Sequence, residues 1–169
     1  MKNFSLLLLI IMFLSACTYK NEWHQVPVQN KFSVELPDYM KESKKLRADA
    51  SLQYENRYRN TYIIVIEHDK KNIPFNEFVN NSINPITKYL DKPAITDSMN
   101  ITLNNLPTRV NKIMGEMESG DEKENIYYTH YSIDGKKKYY EVCTWTRGPK
   151  RLDQYGKDLQ RMMDSFKEI

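Results

Sequence analysis

The feature that most constrains the fold is a hydrophobic period that changes three times along the chain. Phe32-Ser33-Val34-Glu35-Leu36-Pro37 alternates apolar and polar residues and stops at a proline, which predicts a strand with one buried face. A second strand is expected over Ser51-Leu52-Gln53-Tyr54-Glu55, with a turn at Arg57 to Asn60. Tyr62-Ile63-Ile64-Val65-Ile66 is continuous and β-branched, the mark of a central strand buried on both faces. The period then lengthens. Phe75, Phe78, Val79, Ile83, Ile86 and Leu90 recur at three- and four-residue steps, as on one face of a helix. Pro74 suits the first turn and Asn72 the cap. Pro85 should kink or divide this helix, because it lacks an N–H and clashes with the preceding turn. Asp91-Lys92-Pro93 should end it.

Period two then returns. Met99 to Leu103 reads as a strand, Asn104-Asn105-Leu106-Pro107 as a turn, and Thr108 to Met117 as the returning strand. Ser119 to Glu124 reads as a polar loop. Ile126 to Ile133 and Lys136 to Thr146 form a hairpin about Asp134-Gly135, a pair suited to a two-residue type I′ turn. Helical spacing closes the chain after Pro149, through Leu152, Tyr155, Leu159, Met162, Met163 and Phe166. Strands joined by short turns pair antiparallel, and two amphipathic helices can cover the resulting sheet. The expected class is therefore α+β, an antiparallel sheet flanked by helices. The 169 residues hold no repeat and fit one domain.

In this order of elements the chain resembles the Mog1/PsbP-like family. The resemblance lies in Phe32-Ser33-Val34-Glu35-Leu36-Pro37, in Leu52-Gln53-Tyr54-Glu55-Asn56, in Tyr62-Ile63-Ile64-Val65-Ile66 and in a C-terminal helix after a tyrosine-rich hairpin. It spans nearly everything beyond Lys31. It implies an α/β/α sandwich and a role in binding or assembly support, and it brings no catalytic residues with it.

Ahead of the domain, Met1-Lys2-Asn3 is followed by an apolar stretch from Phe4 to Phe13 and by Leu14-Ser15-Ala16-Cys17. A positive start, about ten apolar residues and a small-residue cut site make a signal peptide. The stretch is too short to span a bilayer, which takes about 20 apolar residues. Leu14-Ser15-Ala16-Cys17 resembles the lipobox of bacterial lipoproteins. That resemblance implies diacylglycerol on the thiol of Cys17, cleavage before it and acylation of the new amine. The expected organisation is residues 1–16 as signal peptide, 17–30 as lipidated cysteine and tether, and 31–169 as one globular domain. Fully extended, the link reaches at most about 50 Å, so the domain works close to its membrane. No acidic run follows Cys17, which favours a periplasm-facing domain in a bacterial envelope. Trp23 in the link is expected to pack on the domain or sit at the lipid interface.

Charge excludes one class of partner. Of 25 basic residues only Lys2 precedes Cys17, so the processed chain stays nearly balanced against 22 acidic ones. Nucleic acid, which needs a clustered basic face, is not an expected partner. The one basic run, Lys136-Lys137-Lys138, suits a strand edge guarded against unwanted pairing. His24, His68 and His130 lack metal-ligand spacing, and the chain contains no phosphate loop or nucleophile-elbow motif. No metal, cofactor or enzymatic activity is expected.

With Cys17 lipidated, Cys143 is the remaining thiol and no internal disulfide can form. A Cys143–His130 dyad fails on the two-residue turn, which sets His130 against Tyr139 and leaves Cys143 four residues away, about 13 Å. The tyrosines are the conspicuous feature. Tyr128, Tyr131, Tyr139 and Tyr140, with Trp145, are the candidate binding surface, either an aromatic platform or strand residues packed beneath the helices. The expected partners are the membrane, through lipid on Cys17, and a protein. The alternative is a small ligand or glycan in an aromatic cleft near the 126–146 hairpin.

Overall fold

A computed structural model describes residues 21–71, 73–119 and 122–169. The leader, Cys17 and the proposed cap Asn72 lie outside them. The elements run β1 (Trp23–Val28), β2 (Phe32–Pro37), β3 (Lys41–Glu42), β4 (Leu52–Asn56), β5 (Thr61–Asp69), α1 (Phe75–Tyr89), β6 (Asp91–Leu103), β7 (Leu106–Ser119), β8 (Glu122–Asp134), β9 (Lys138–Arg147), α2 (Pro149–Asp164) and β10 (Lys167–Glu168). Seven strands form one antiparallel sheet in the order β3-β4-β5-β9-β8-β7-β6, and β1-β2-β10 form a small second sheet. The α+β class follows.

Three departures from the sequence reading have physical causes. Trp23–Val28, read as part of a tether, is a strand paired along its length with β2. The second departure is β6, which begins at Asp91 rather than Met99. Its first half is polar and solvent-facing, bulges twice, and carries Lys92 at a positive φ of 47°, so no alternation announces it. Third, α1 runs from Phe75 to Tyr89 as one helix with Pro85 inside it, undivided.

The β8–β9 register is also corrected. Asp134 faces Tyr139 and Ile133 faces Tyr140, so His130 faces Cys143. Side chains alternate with a period of two, so a slip by an even number of residues keeps every residue on its own face. The hydrophobic pattern could not distinguish the two pairings. In the observed one Lys136 and Lys137 leave the ladder, and the Lys136 amide donates to Glu168 at 2.8 Å. Gly135 serves close approach rather than a left-handed turn: a Cβ there would meet the Tyr140 ring at 2.5 Å. The tight hairpin is instead Asn104-Asn105, where φ is 48° and 67° and Leu103 faces Leu106.

Two cores lie on opposite faces of the large sheet. On one face, α2 and the small sheet cover Ile63, Val65, Tyr131, Ile133, Tyr140 and Val142. Phe32, Phe166 and Tyr140 meet there at ring distances of 5.0 to 5.7 Å, each burial being worth about 2–3 kcal/mol. Gly148, at a φ of 74°, and Pro149 turn the chain from β9 into α2. On the other face, α1 packs Phe78, Val79 and Ile83 onto β7, β8 and β9. Beside the second half of this helix a cleft remains over β5 and β9.

Candidate functional site

The cleft holds about 420 Å³ between the sheet, the second half of α1 and the 43–51 loop. Strand alternation builds its floor. On β9 every second residue, Glu141, Cys143, Trp145 and Arg147, faces α1, and on β5 Tyr62 and Ile64 lie beside Trp145 and Cys143 in register. Trp145 stacks on Tyr62 at 5.0 Å and 8°, and on Tyr128 at 5.6 Å and 30°. Pro85, Ile86 and Tyr89 form the helix wall, with Tyr89 71% exposed at the rim. Pro85 therefore serves the cleft wall.

Two guanidinium groups border this apolar space. Arg47 is held by Asp49, with Nε 2.8 Å from Oδ1. Arg147 has no carboxylate partner among the described residues. Its Nε is buried without a hydrogen bond, and its Nη2 reaches only Met117 Sδ at 3.9 Å. Arg147 thus brings a guanidinium with no neutralising carboxylate to the cleft border, the cleft's natural contact for a ligand oxygen.

Beneath α1 the floor continues into a polar group. The Glu141 side chain is 3% exposed, with His68 Nε2 3.3 Å from one carboxylate oxygen and His130 Nε2 3.4 Å from the other. Burial pushes its carboxyl up, but His130, His68 and then Arg47 outweigh that and hold it at about 2. Two histidines thus meet at one carboxylate, although among the described residues no group of three or more His, Cys, Asp or Glu could hold a metal ion.

The corrected register makes His130 and Cys143 cross-strand neighbours. The dyad still lacks a nucleophile. Cys143 is 1% exposed, and burial, then the charge of Glu141, pushes its thiol well above the usual range. Cys143 is accordingly expected to react with a disulfide reagent such as dithionitrobenzoate roughly 100-fold more slowly in the folded protein than in urea. Comparable rates in both states would show an activated thiol.

The candidate aromatics divide between the two faces. Tyr128 and Trp145 line the cleft. Tyr139, 6% exposed, lies on the same sheet face but beneath α1, stacked on Phe78 at 4.6 Å with its hydroxyl donating to the Ile73 carbonyl. Tyr131 and Tyr140 point to the opposite face. They are 1% and 2% exposed, and their hydroxyls donate to Asp164 and Glu168. Sequence reasoning missed Tyr62, Glu141 and Arg147. Alternation from Cys143 along β9 already placed Glu141 and Arg147 on its face. No local signal marked Arg47, which a loop brings in.

No family model and no curated protein matches the chain. Solved structures match its fold. The cyanobacterial PsbP protein of Synechocystis sp. PCC 6803 superposes with a TM-score of 0.62 at 8% identity, over 91% of this chain and 96% of that one. The Ran-binding protein Mog1p of Saccharomyces cerevisiae gives 0.54 at 10% identity, over 88% and 96%. LpqN of Mycobacterium tuberculosis, involved in cell envelope biogenesis, gives 0.54 at 10%, over 87% and 90%. At such identities the likeness concerns the fold, an antiparallel sheet with two helices of the Mog1/PsbP-like kind.

Proposed function

We propose that this chain is a lipid-anchored lipoprotein of a bacterial envelope, facing the periplasm, whose domain binds a small ligand without transforming it. The anchor is read from Leu14-Ser15-Ala16-Cys17. Among the described residues no helix is long and apolar enough to cross a membrane. LpqN, of similar fold and involved in cell envelope biogenesis, is in keeping with that address.

One observation carries the ligand reading: an aromatic cleft of about 420 Å³ bordered by the Arg147 guanidinium, which has no carboxylate partner among the described residues. Concave apolar walls with a few polar groups are what small-ligand sites look like. Stacked Tyr62, Trp145 and Tyr128 fit a flat apolar body, and Arg147 fits an oxygen acceptor or anion on it. Chemistry is not supported. The Glu141 carboxyl, at about 2, is a poor proton donor near neutrality, and Cys143 is held as a thiol.

A protein partner is the second reading. It is favoured by the free edge of β6, where Ile95 is 51% and Met99 41% exposed, and by the Ran-binding role of Mog1p.

The test is to purify the full-length protein from its own membrane, extract it with organic solvent and identify what it releases by mass spectrometry. Wild type should release one small molecule near stoichiometrically. Trp145→Ala should release about fivefold less, since one aromatic face is worth on the order of 1 kcal/mol. Tyr89→Ala, at an exposed rim position that leaves the fold intact, should release severalfold less. An empty wild type, or equal recovery from all three, contradicts the ligand reading.

A further inference from the structure

The place where the chain leaves the domain toward Cys17 adjoins a patch that neither the fold nor the cleft uses. Asn21 Nδ2 donates to Asp158 Oδ2 at 3.4 Å, and the Tyr39 hydroxyl donates to the same oxygen at 2.9 Å. The Arg59 guanidinium lies over the Tyr39 ring at 3.9 Å and over Tyr155 at 5.5 Å. Arg151 lies 6.0 Å from the Tyr155 ring and 5.9 Å from that of Tyr58. An unbroken series of contacts thus leads from the tether exit to the β4–β5 turn and the first turn of α2.

This surface is rich in basic side chains and aromatic rings. Arg57 and Arg59 lie in the β4–β5 turn, Lys150 and Arg151 in the first turn of α2, and exposed Lys157 further along that helix. Of the carboxylates nearby, Glu55 is engaged by Arg57 at 3.0 Å and Asp158 accepts from Tyr39 and Asn21, while Glu22, Asp38 and Asp153 complete the set. Arg59, Lys150 and Arg151 have no carboxylate within 4.0 Å among the described residues. At the tip of the turn Tyr58 is 85% exposed, more than any other large hydrophobic residue described. A large ring held out in water among unpaired cations suits the headgroup layer of a bilayer, where aromatic bodies and basic heads are both satisfied.

The length of the remaining chain supplies the occupant. Only four residue steps separate Cys17 from Asn21, and fully extended they span at most about 14 Å. A bilayer holding lipid at Cys17 cannot lie far from this end of the domain.

We propose that the Tyr58 turn and the first turn of α2 form the membrane-facing surface of the protein, seated on anionic lipid headgroups by Arg59, Lys150 and Arg151. The proposal rests on lipidation of Cys17. It orients the domain, and it sets the Tyr62–Trp145–Arg147 end of the cleft beside the headgroups, since Tyr62 follows the turn directly and Arg147 precedes Lys150 by three residues.

The test uses full-length lipidated protein carrying Tyr58→Cys, reconstituted into vesicles. Cys143 is buried and Cys17 carries lipid, so a polarity-sensitive nitrobenzoxadiazole label reports position 58 alone. A second protein carries the label at Lys136→Cys, in the β8–β9 loop at the far end of the sheet. In vesicles of equimolar phosphatidylglycerol and phosphatidylcholine, the label at 58 should shift to the blue. A nitroxide lipid near the headgroups should quench it roughly twofold or more, while the label at 136 stays unquenched. Arg59→Gln with Arg151→Gln should return the label at 58 to an aqueous signal, and so should high salt. Vesicle flotation separates the two premises. Protein that fails to float overturns the lipid anchor and this surface with it. Protein that floats with position 58 aqueous and unquenched overturns the surface alone.

Discussion

Glu141→Gln should destabilise the domain by about 3 kcal/mol at neutral pH and remove the share of its acid limb that this carboxylate supplies. Glu141 is buried at the junction of the cleft floor and the face of α1, with His68 hydrogen-bonded to one oxygen at 3.3 Å and His130 Nε2 approaching the other at 3.4 Å without a hydrogen bond. Burial opposes its charge, and the two histidines with Arg47 more than offset it, so the folded carboxyl sits at about 2 against an ordinary value of 4.5. A folded value below the unfolded one means that protons bind more tightly to the unfolded chain. The stabilisation is therefore complete above about pH 4.5 and is lost as pH falls toward 2. The gap in pKa corresponds to about 3 kcal/mol at roughly 1.4 kcal/mol per unit. Glutamine keeps the shape and removes the charge that the histidines face. Urea denaturation of both proteins from pH 2 to pH 7 reads this directly. The midpoint at pH 7 should fall by roughly 1–2 M, and the two curves should converge at the acid end. A variant as stable as wild type at pH 7, with the same acid limb, would show that the fold does not hold Glu141 as a stabilised carboxylate.

The fold was legible where one face of an element is buried and the other is wet. β2 and β5 declared themselves by alternation and by a β-branched run, and α1 and α2 by their three- and four-residue steps. Elements with little burial were silent. β1 has no fully buried residue and contains a proline, β3 and β10 are two residues each, and the first half of β6 faces water. The β8–β9 register was hidden for a different reason: a four-residue slip preserves every inward and outward assignment, and burial cannot tell such pairings apart. That slip matters to the site, because it decides which side chains neighbour His130 and Cys143.

The site was half legible. Tyr128 and Trp145 were visible as aromatics near the hairpin, but their companions come from elements distant in sequence. Tyr62 lies on β5, Tyr89 at the end of α1, and Arg47 in a loop that carries no hydrophobic period. Only the strand order, which sets β5 beside β9, brings Tyr62 onto Trp145. Tyr131 and Tyr140 differ from Tyr128 and Trp145 chiefly by strand parity, and parity sends them to the other core.

The address of the protein hangs on one atom, the sulfur of Cys17. Each buried methylene of an acyl chain contributes about 0.8 kcal/mol to membrane binding, so one chain holds marginally and two or three hold stably. The basic side chains around Tyr58 add contacts that salt screens and cannot replace those chains. Cys17→Ser removes the acceptor of the diacylglycerol and the cut that follows from it. The direct measurement is incorporation of radiolabelled palmitate, together with fractionation of salt-washed membranes, for wild type and Cys17→Ser. The account predicts labelled, shortened wild type in the membrane pellet, and a variant that takes up no label, is not cut before residue 17 and leaves the washed membranes. A serine variant labelled, processed and retained like the wild type would contradict it.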